Sequence, residues 1–159
     1  MTTQKPWQFP LLAIAVSSRG SAFVAMPTPF QIEARASSRK PWPGRVDRVL
    51  SWFQPRTILV AHGARWHVTR SLRDVAQALP NTEQFEPISL NHVCDVLGCA
   101  PTLAGVAERV MDMYPETEPR FANFLTSPRR TDRTRRARPL LSAYALAHAA
   151  SFAHLVKFG

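Results

Sequence analysis

A chain of 159 residues has the size of one ordinary globular domain. With 45% hydrophobic and 19% charged residues it is too apolar for a disordered protein. Its charge is unusual: 20 Lys and Arg face 11 Asp and Glu, a formal +9, with a pI near 11.0. Seventeen of the cations are Arg and three are Lys. Arg pairs bidentately with phosphate and stacks on bases, so the bias favours a polyanionic partner, although a GC-rich coding sequence also enriches Arg.

No run reaches 18 apolar residues, so no membrane span is expected. The run Leu11–Val16 is short and follows Pro6 and Pro10, unlike a signal peptide. Cys94 and Cys99 stand alone at a C-x4-C spacing, which is neither a disulfide framework nor a complete zinc set. Two buried, reduced thiols are the plainer reading.

Residues 1–10 read as an irregular entry, and 11–159 as one domain. Residues 11–16 form a continuous apolar run, as a strand buried on both faces does. Ser17-Ser18-Arg19-Gly20 is a turn in which Gly20 is free to take a positive φ. Residues 21–26 make a second strand. Phe30–Arg35 alternates like a third, edge strand, and 36–44 is a loop.

Val46, Val49, Leu50 and Phe53 have helical spacing, closed by Pro55. Residues 57–61 are a buried strand. Val68, Leu72, Val75, Ala76 and Leu79 mark a second helix, ended by Pro80, and 84–88 suits a short strand. Ser89 N-caps a helix running to Leu97, with Gly98 just past its end. A further helix covers 102–113. Residues 115–138 are polar, with an Arg-rich loop at 126–139, and 140–157 is a final Ala-rich helix. The order β-β-β-α-β-α-β-α-α-loop-α predicts an α/β fold: a five-stranded mixed sheet, a three-strand antiparallel meander plus parallel strands, flanked by helices.

That order, with four local stretches, resembles the RuvC-like family of Holliday-junction resolvases and its ribonuclease H-like fold. Leu12-Ala13-Ile14-Ala15-Val16-Ser17-Ser18-Arg19-Gly20 looks like the family's opening strand and turn, commonly I-D-P-S-S-R-G. Gln54–His62 is similar to its "xPDxVVLED" strand. Ala104–Arg120 resembles its "xxIAxxIAxRFPELxPR" helix, and Arg138–Ala149 its terminal "xxxFDAxALAxA" helix. The likeness covers roughly residues 11–152.

The departures from the family pattern bear on function. Members that cut DNA hold divalent metal with acids at fixed places. Here those places are Ala15, Ala61 followed by His62, a position near Thr134 or Arg135, and Ser142. Two-metal phosphodiester cleavage needs several anionic oxygens to offset the charge of two hard cations. Methyl groups provide none, so the expectation is no catalytic residue and no cofactor. Natural degeneration and deliberate knock-out would both give this pattern. The acids left near the ancestral site are Glu33, Asp74 and Asp132. Glu33, His62 and Asp132 are the weak candidates for a rearranged Mg site, against the plainer reading of the acids as solvated charges beside Arg.

Five histidines form no ligand pair of the H-E-x-x-H kind, and all but His62 read as polar edges of packed helices. No nucleophile elbow or Walker motif is present. The Arg clusters carry the functional signal. Arg129, Arg130, Arg133, Arg135, Arg136 and Arg138 place six cations in ten residues. Such a block repels itself and needs anions nearby. Arg39, Lys40 and Trp42, with Arg35 beside them, form a second basic-aromatic stretch. Arg65, Trp66, His67 and Arg70 form a third, and Arg19 lies in the first turn. Trp beside Arg suits stacking on unpaired bases.

The resemblance therefore implies a catalytically inactive, nucleic-acid-binding relative that recognises branched, hybrid or single-stranded nucleic acid. Such a relative would be a structural subunit of a recombination, mobile-element or CRISPR-type complex. It implies a cytoplasmic setting in a bacterium, phage or mobile element, other protein subunits or a second copy as partners, and no membrane. Two alternatives stay open: an active Mg-dependent resolvase with a rearranged site, and a protein-interaction module with a basic face.

Overall fold

The computed structural model describes residues 7–17, 20–39, 44–61, 66–126 and 132–158. Positions 44–47, 66–68, 132–135 and 157–158 are described by backbone alone. Five strands, β1 (Leu11–Ser17), β2 (Gly20–Met26), β3 (Ala34–Ser38), β4 (Thr57–Ala61) and β5 (Gln84–Ile88), form one mixed sheet in the order β3-β2-β1-β4-β5. β1, β2 and β3 pair antiparallel, and β1, β4 and β5 pair parallel. The α/β architecture expected from the sequence is the one observed.

Alternation along β1 sorts the core into two layers. Leu12 and Ile14 point to one face, where Val49 from α1 (Gly44–Trp52), Phe53 just after it, and Leu72 and Ala76 from α2 (Trp66–Ala78) cover them. Leu11, Ala13 and Ala15 point to the other. There α3 (Leu90–Leu97), α4 (Leu103–Met113) and the long α7 (Asp132–Phe158) pack, joined by a 3-10 turn at Pro115–Thr117 and by α5 (Glu118–Phe121) and α6 (Asn123–Thr126). Ser89 accepts the His92 amide at 3.1 Å, and Gly98 closes α3 at φ 65. Thr102 caps α4 through the Gly105 amide.

Three expectations are corrected. The third strand begins at Ala34, four residues later than the alternation at Phe30–Arg35 suggested. Phe30 has φ 65, and Thr28 bridges Gln31, so 28–31 turns back on itself before the chain can pair with β2. Gly20 does not take a positive φ: among the described glycines only Gly98 does. Gly20 is required for space instead, because a Cβ there would collide with the Ser38 carbonyl oxygen.

The third correction concerns the Arg-rich segment, which is helical from Asp132 onward rather than a loop up to 139. Pro139 sits inside α7, where it deprives the carbonyl of residue 135 of its helical donor. A proline there marks a boundary by sequence rules, yet Pro139, Leu140 and Leu141 are all buried on the sheet side, and packing carries the helix through. The stretch Arg136–Val156 is long and apolar enough to cross a membrane by length and composition, but its window is 67% buried inside the fold.

Candidate nucleic-acid interface

α7 is held at its C-terminal end. The Ser151 hydroxyl accepts the Phe30 amide at 3.0 Å, donates to the Ala147 carbonyl, and lies 3.7 Å from Met26 Sδ. His154 stacks edge-on against Phe9. Met26 pairs with Leu11, the first residue of β1, so α7 ends where β1 begins and runs back along it. From Leu11 to Ala15 the strand rises about 13 Å. A helix covers that in about nine residues, which brings Ser142 to the level of Ala15.

β4 fixes the third position. Its register pairs Ile14 with Val60, so Ala15 and Ala61 follow as neighbours. Ala15 is buried in the α7 layer, Ala61 packs against the same layer, and Ser142 is half-buried. Ala15 and Ala61 thus lie side by side at one end of one face of the sheet, and the helical rise counted from Ser151 brings Ser142 to the same end. They bring a methyl, a methyl and a hydroxyl to that end.

The weak metal candidates fare differently. Glu33 is exposed and donates its amide to the Ala25 carbonyl, one residue before β3. The late start of β3 puts it at the opposite end of the sheet from Ala15, so it cannot join a site with Ala61 and Ser142. Asp74 lies on α2, across the sheet. His62 lies outside the described residues, and Asp132 is described by backbone alone. Among the described residues no group of three or more His, Cys, Asp and Glu could hold a metal ion.

The basic residues divide into three groups. Arg19, Lys40, Trp42, Arg65, Arg129 and Arg130 lie outside the described residues, and Trp66, Arg133 and Arg135 are placed by backbone only. Arg70 is exposed on α2, toward the other layer. Arg39, Arg136 and Arg138 are exposed and described. β3 pairs Arg35 with Val24 and Ser37 with Ala22. Val24 and Ala22 face α7, so Arg35, Ser37 and, by the same alternation, Arg39 also project to that side. Arg39 lies beyond Ser38, at the end of the sheet where Ala15 and Ser142 stand. The N-terminal half of α7, with Arg136 and Arg138, enters at that same end.

Arg120 closes the arrangement and was not singled out by sequence. It lies on α5 and is exposed, and the buried Tyr144 hydroxyl feels both Arg35 and Arg120. Burial raises the Tyr144 pKa, Arg35 and Arg120 oppose that rise, and Glu116 adds to it. Among the described residues, Arg35, Arg39, Arg120, Arg136 and Arg138 make no ion pair, whereas Arg56 pairs with Glu83 at 3.0 Å. No sequence period links Arg120 to β3; only the docking of α5 on α7 does.

Beneath this rim is a buried polar-aromatic cluster. Tyr114, Tyr144 and His148 meet edge-on with centroids 5.4 to 5.8 Å apart, and Phe30 and Phe121 pack against them. Among the described residues, the Tyr114 and Tyr144 hydroxyls and His148 Nδ1 have no hydrogen-bond partner. Burial, aided by Arg109, lowers the His148 pKa to about 4, and burial lifts Tyr114 to about 12. His148 is therefore a core residue, not the polar edge of a helix. Both cysteines are free; Cys94 is buried but Cys99 only half-buried, and burial and Cys99 push the Cys94 thiol to about 11.

No family model matches this chain, and neither a curated protein nor a solved structure is significantly similar to it.

Proposed function

We propose that the chain is a RuvC-like protein of ribonuclease H-like fold that binds nucleic acid through an Arg-rich rim and does not cut it. What supports the reading is the β1–β4 register, which sets Ala15 beside Ala61 at the end of the sheet where β3 reaches Arg39 and where α7 enters with Arg136 and Arg138. The strand order β3-β2-β1-β4-β5, with a long C-terminal helix over β1 and β2, supports the fold part of it.

The chemistry follows from charge. A two-metal centre needs carboxylates to offset its cations. Three described positions that would hold them carry methyls and a hydroxyl. The surrounding guanidinium groups favour phosphate instead, releasing counterions as they bind. The ligand would be a branched, hybrid or single-stranded nucleic acid, held within a larger nucleoprotein assembly.

The test is a salt series of gel shifts on a four-way junction. Each duplex phosphate contact contributes about −0.9 to the slope of log K against log salt. Replacing Arg133, Arg135 and Arg136 by Ala should flatten that slope by about 2 to 3. An unchanged slope refutes the assigned contacts. Cleavage of the junction with Mg²⁺ or Mn²⁺ refutes the inactive reading, and binding to an acidic protein but to no nucleic acid refutes both.

A further inference from the structure

β3 is an edge strand, and its burial alternates strictly: Ala34, Ala36 and Ser38 are half-buried, while Arg35, Ser37 and Arg39 are exposed. The buried set turns toward α1 and α2, where Ala34 and Ala36 pack. The exposed set lines the α7 side. Successive members of that set stand about 6.7 Å apart, close to one nucleotide of an extended sugar-phosphate chain. The row is a single strand wide, with the wall of α5 and α7 beside it.

The wall continues the pattern. Arg120 precedes Phe121, whose ring packs on Tyr144 at 5.8 Å, and both Arg120 and Arg35 oppose the rise in the Tyr144 pKa. Glu116 shares that neighbourhood, and Glu118 lies on α5 with Arg120. Arg136 and Arg138, two residues apart on α7, flank the helix on opposite sides where it enters at the Ala15 end, so one of them borders the strip. Arg35, Arg39 and Arg120 thus border a narrow strip with Glu116 and Glu118 on its wall, and Glu33 continues the exposed row one step before Arg35.

We infer that the α7 side of edge strand β3 is the track for one extended nucleic-acid strand, with successive phosphates on Arg35, Ser37 and Arg39 and with Arg120 on the opposite wall. This rests on the nucleic-acid reading above and deepens it: the substrate class is a single strand, or the displaced arm of a branch, rather than an uninterrupted duplex. A duplex presents two backbones on a wide cylinder, whereas this floor offers one row. Charge on an edge strand also blocks strand-to-strand aggregation. That role needs cations on the edge but no particular face and no partner wall.

The experiment is fluorescence anisotropy with a labelled oligothymidylate over a salt series. Arg35→Ala with Arg39→Ala should reduce the magnitude of the log–log slope by about 1.4, two contacts at about 0.7 each. Arg56→Ala with Arg73→Ala removes the same charge from residues engaged elsewhere, with Glu83 and over the Phe85 ring, and should leave the slope unchanged. Photocrosslinking from p-benzoylphenylalanine at Ser37 should capture the bound strand, and the same group at Arg73 should not. If the wild type binds but the β3 variant keeps its slope, or both double variants flatten equally, the track is wrong and the general reading stands. If the wild type binds no nucleic acid at all, both fall. Lower solubility of the β3 variant with an unchanged slope assigns the row to edge protection.

Discussion

The Ser151 hydroxyl accepts the Phe30 amide at 3.0 Å, across 121 residues of sequence. This one bond ties the last third of α7 to the turn that precedes β3. It also sets how far α7 slides along β1, and so which helical residue stands level with Ala15. Phe30 holds φ 65, a conformation that costs a bulky side chain energy, and its ring stacks on His148. Ser151→Ala leaves the half-buried Phe30 amide without its acceptor. The expected loss is about 1–3 kcal/mol, read as a lower denaturation midpoint with an unchanged m-value. Stability equal to wild type would mean that the turn finds another acceptor.

Gly20 opens β2 opposite Ser17, and its missing Cβ makes room for the Ser38 carbonyl of β3. Gly20→Ala forces backbone apart at the start of two strand pairs. It should destabilise by roughly 1–3 kcal/mol, as overpacking does. Because Arg39 is next to Ser38, it should also weaken oligonucleotide binding. Thermal denaturation and anisotropy on the same sample check both effects; loss of stability alone would uncouple Gly20 from the basic row.

His148 makes stability depend on pH. Its folded pKa is lowered to about 4 from an ordinary 6.5. The neutral form is favoured in the fold, so between those values the unfolded chain binds more protons. The contribution is fully present above pH 6.5 and is lost as pH falls toward 4. The whole window is worth up to roughly 3 kcal/mol. His148→Phe, which keeps a ring against Phe30 and Tyr114, should flatten the stability profile between pH 4 and 6.5. An equal slope in wild type and variant would place the titration elsewhere.

Tyr144 is fully buried with an unpartnered hydroxyl. Tyr144→Phe removes a polar atom that gains nothing in the core and keeps the ring contacts with Tyr114 and Phe121. Stability should be unchanged or up to about 1 kcal/mol higher. A loss above that in chemical denaturation would show that the hydroxyl is satisfied in solution, for example by a buried water.

Much of the sheet could be read from the chain because its signals are local. The apolar runs at 11–16 and 57–61, the Ser89 and Gly98 caps, and Pro55, Pro80 and Pro115 after α1, α2 and α4 act within a few residues. The third strand was misplaced because Phe30–Arg35 alternates in hydropathy while its backbone turns. The φ of Phe30 is paid for by Ser151 and His148, both more than a hundred residues away. The helix through Pro139 was hidden for a similar reason, since burial of Leu140 and Leu141 outweighs one lost donor. Motif spacing singles out Ala15 and Ala61, and the register of β1 with β4 makes them neighbours. Glu33 was assigned to the wrong end because β3 starts late. Arg120 had no sequence signal, since only tertiary docking brings it to Arg35.

The most direct test of the central claim is to incubate an end-labelled four-way junction with the full chain in Mg²⁺, then in Mn²⁺, and run native and denaturing gels on the same reaction. The expected result is a retarded complex whose affinity falls steeply with salt, and a DNA strand recovered at full length. Shortened, metal-dependent products, or no retarded complex at low salt, would contradict it.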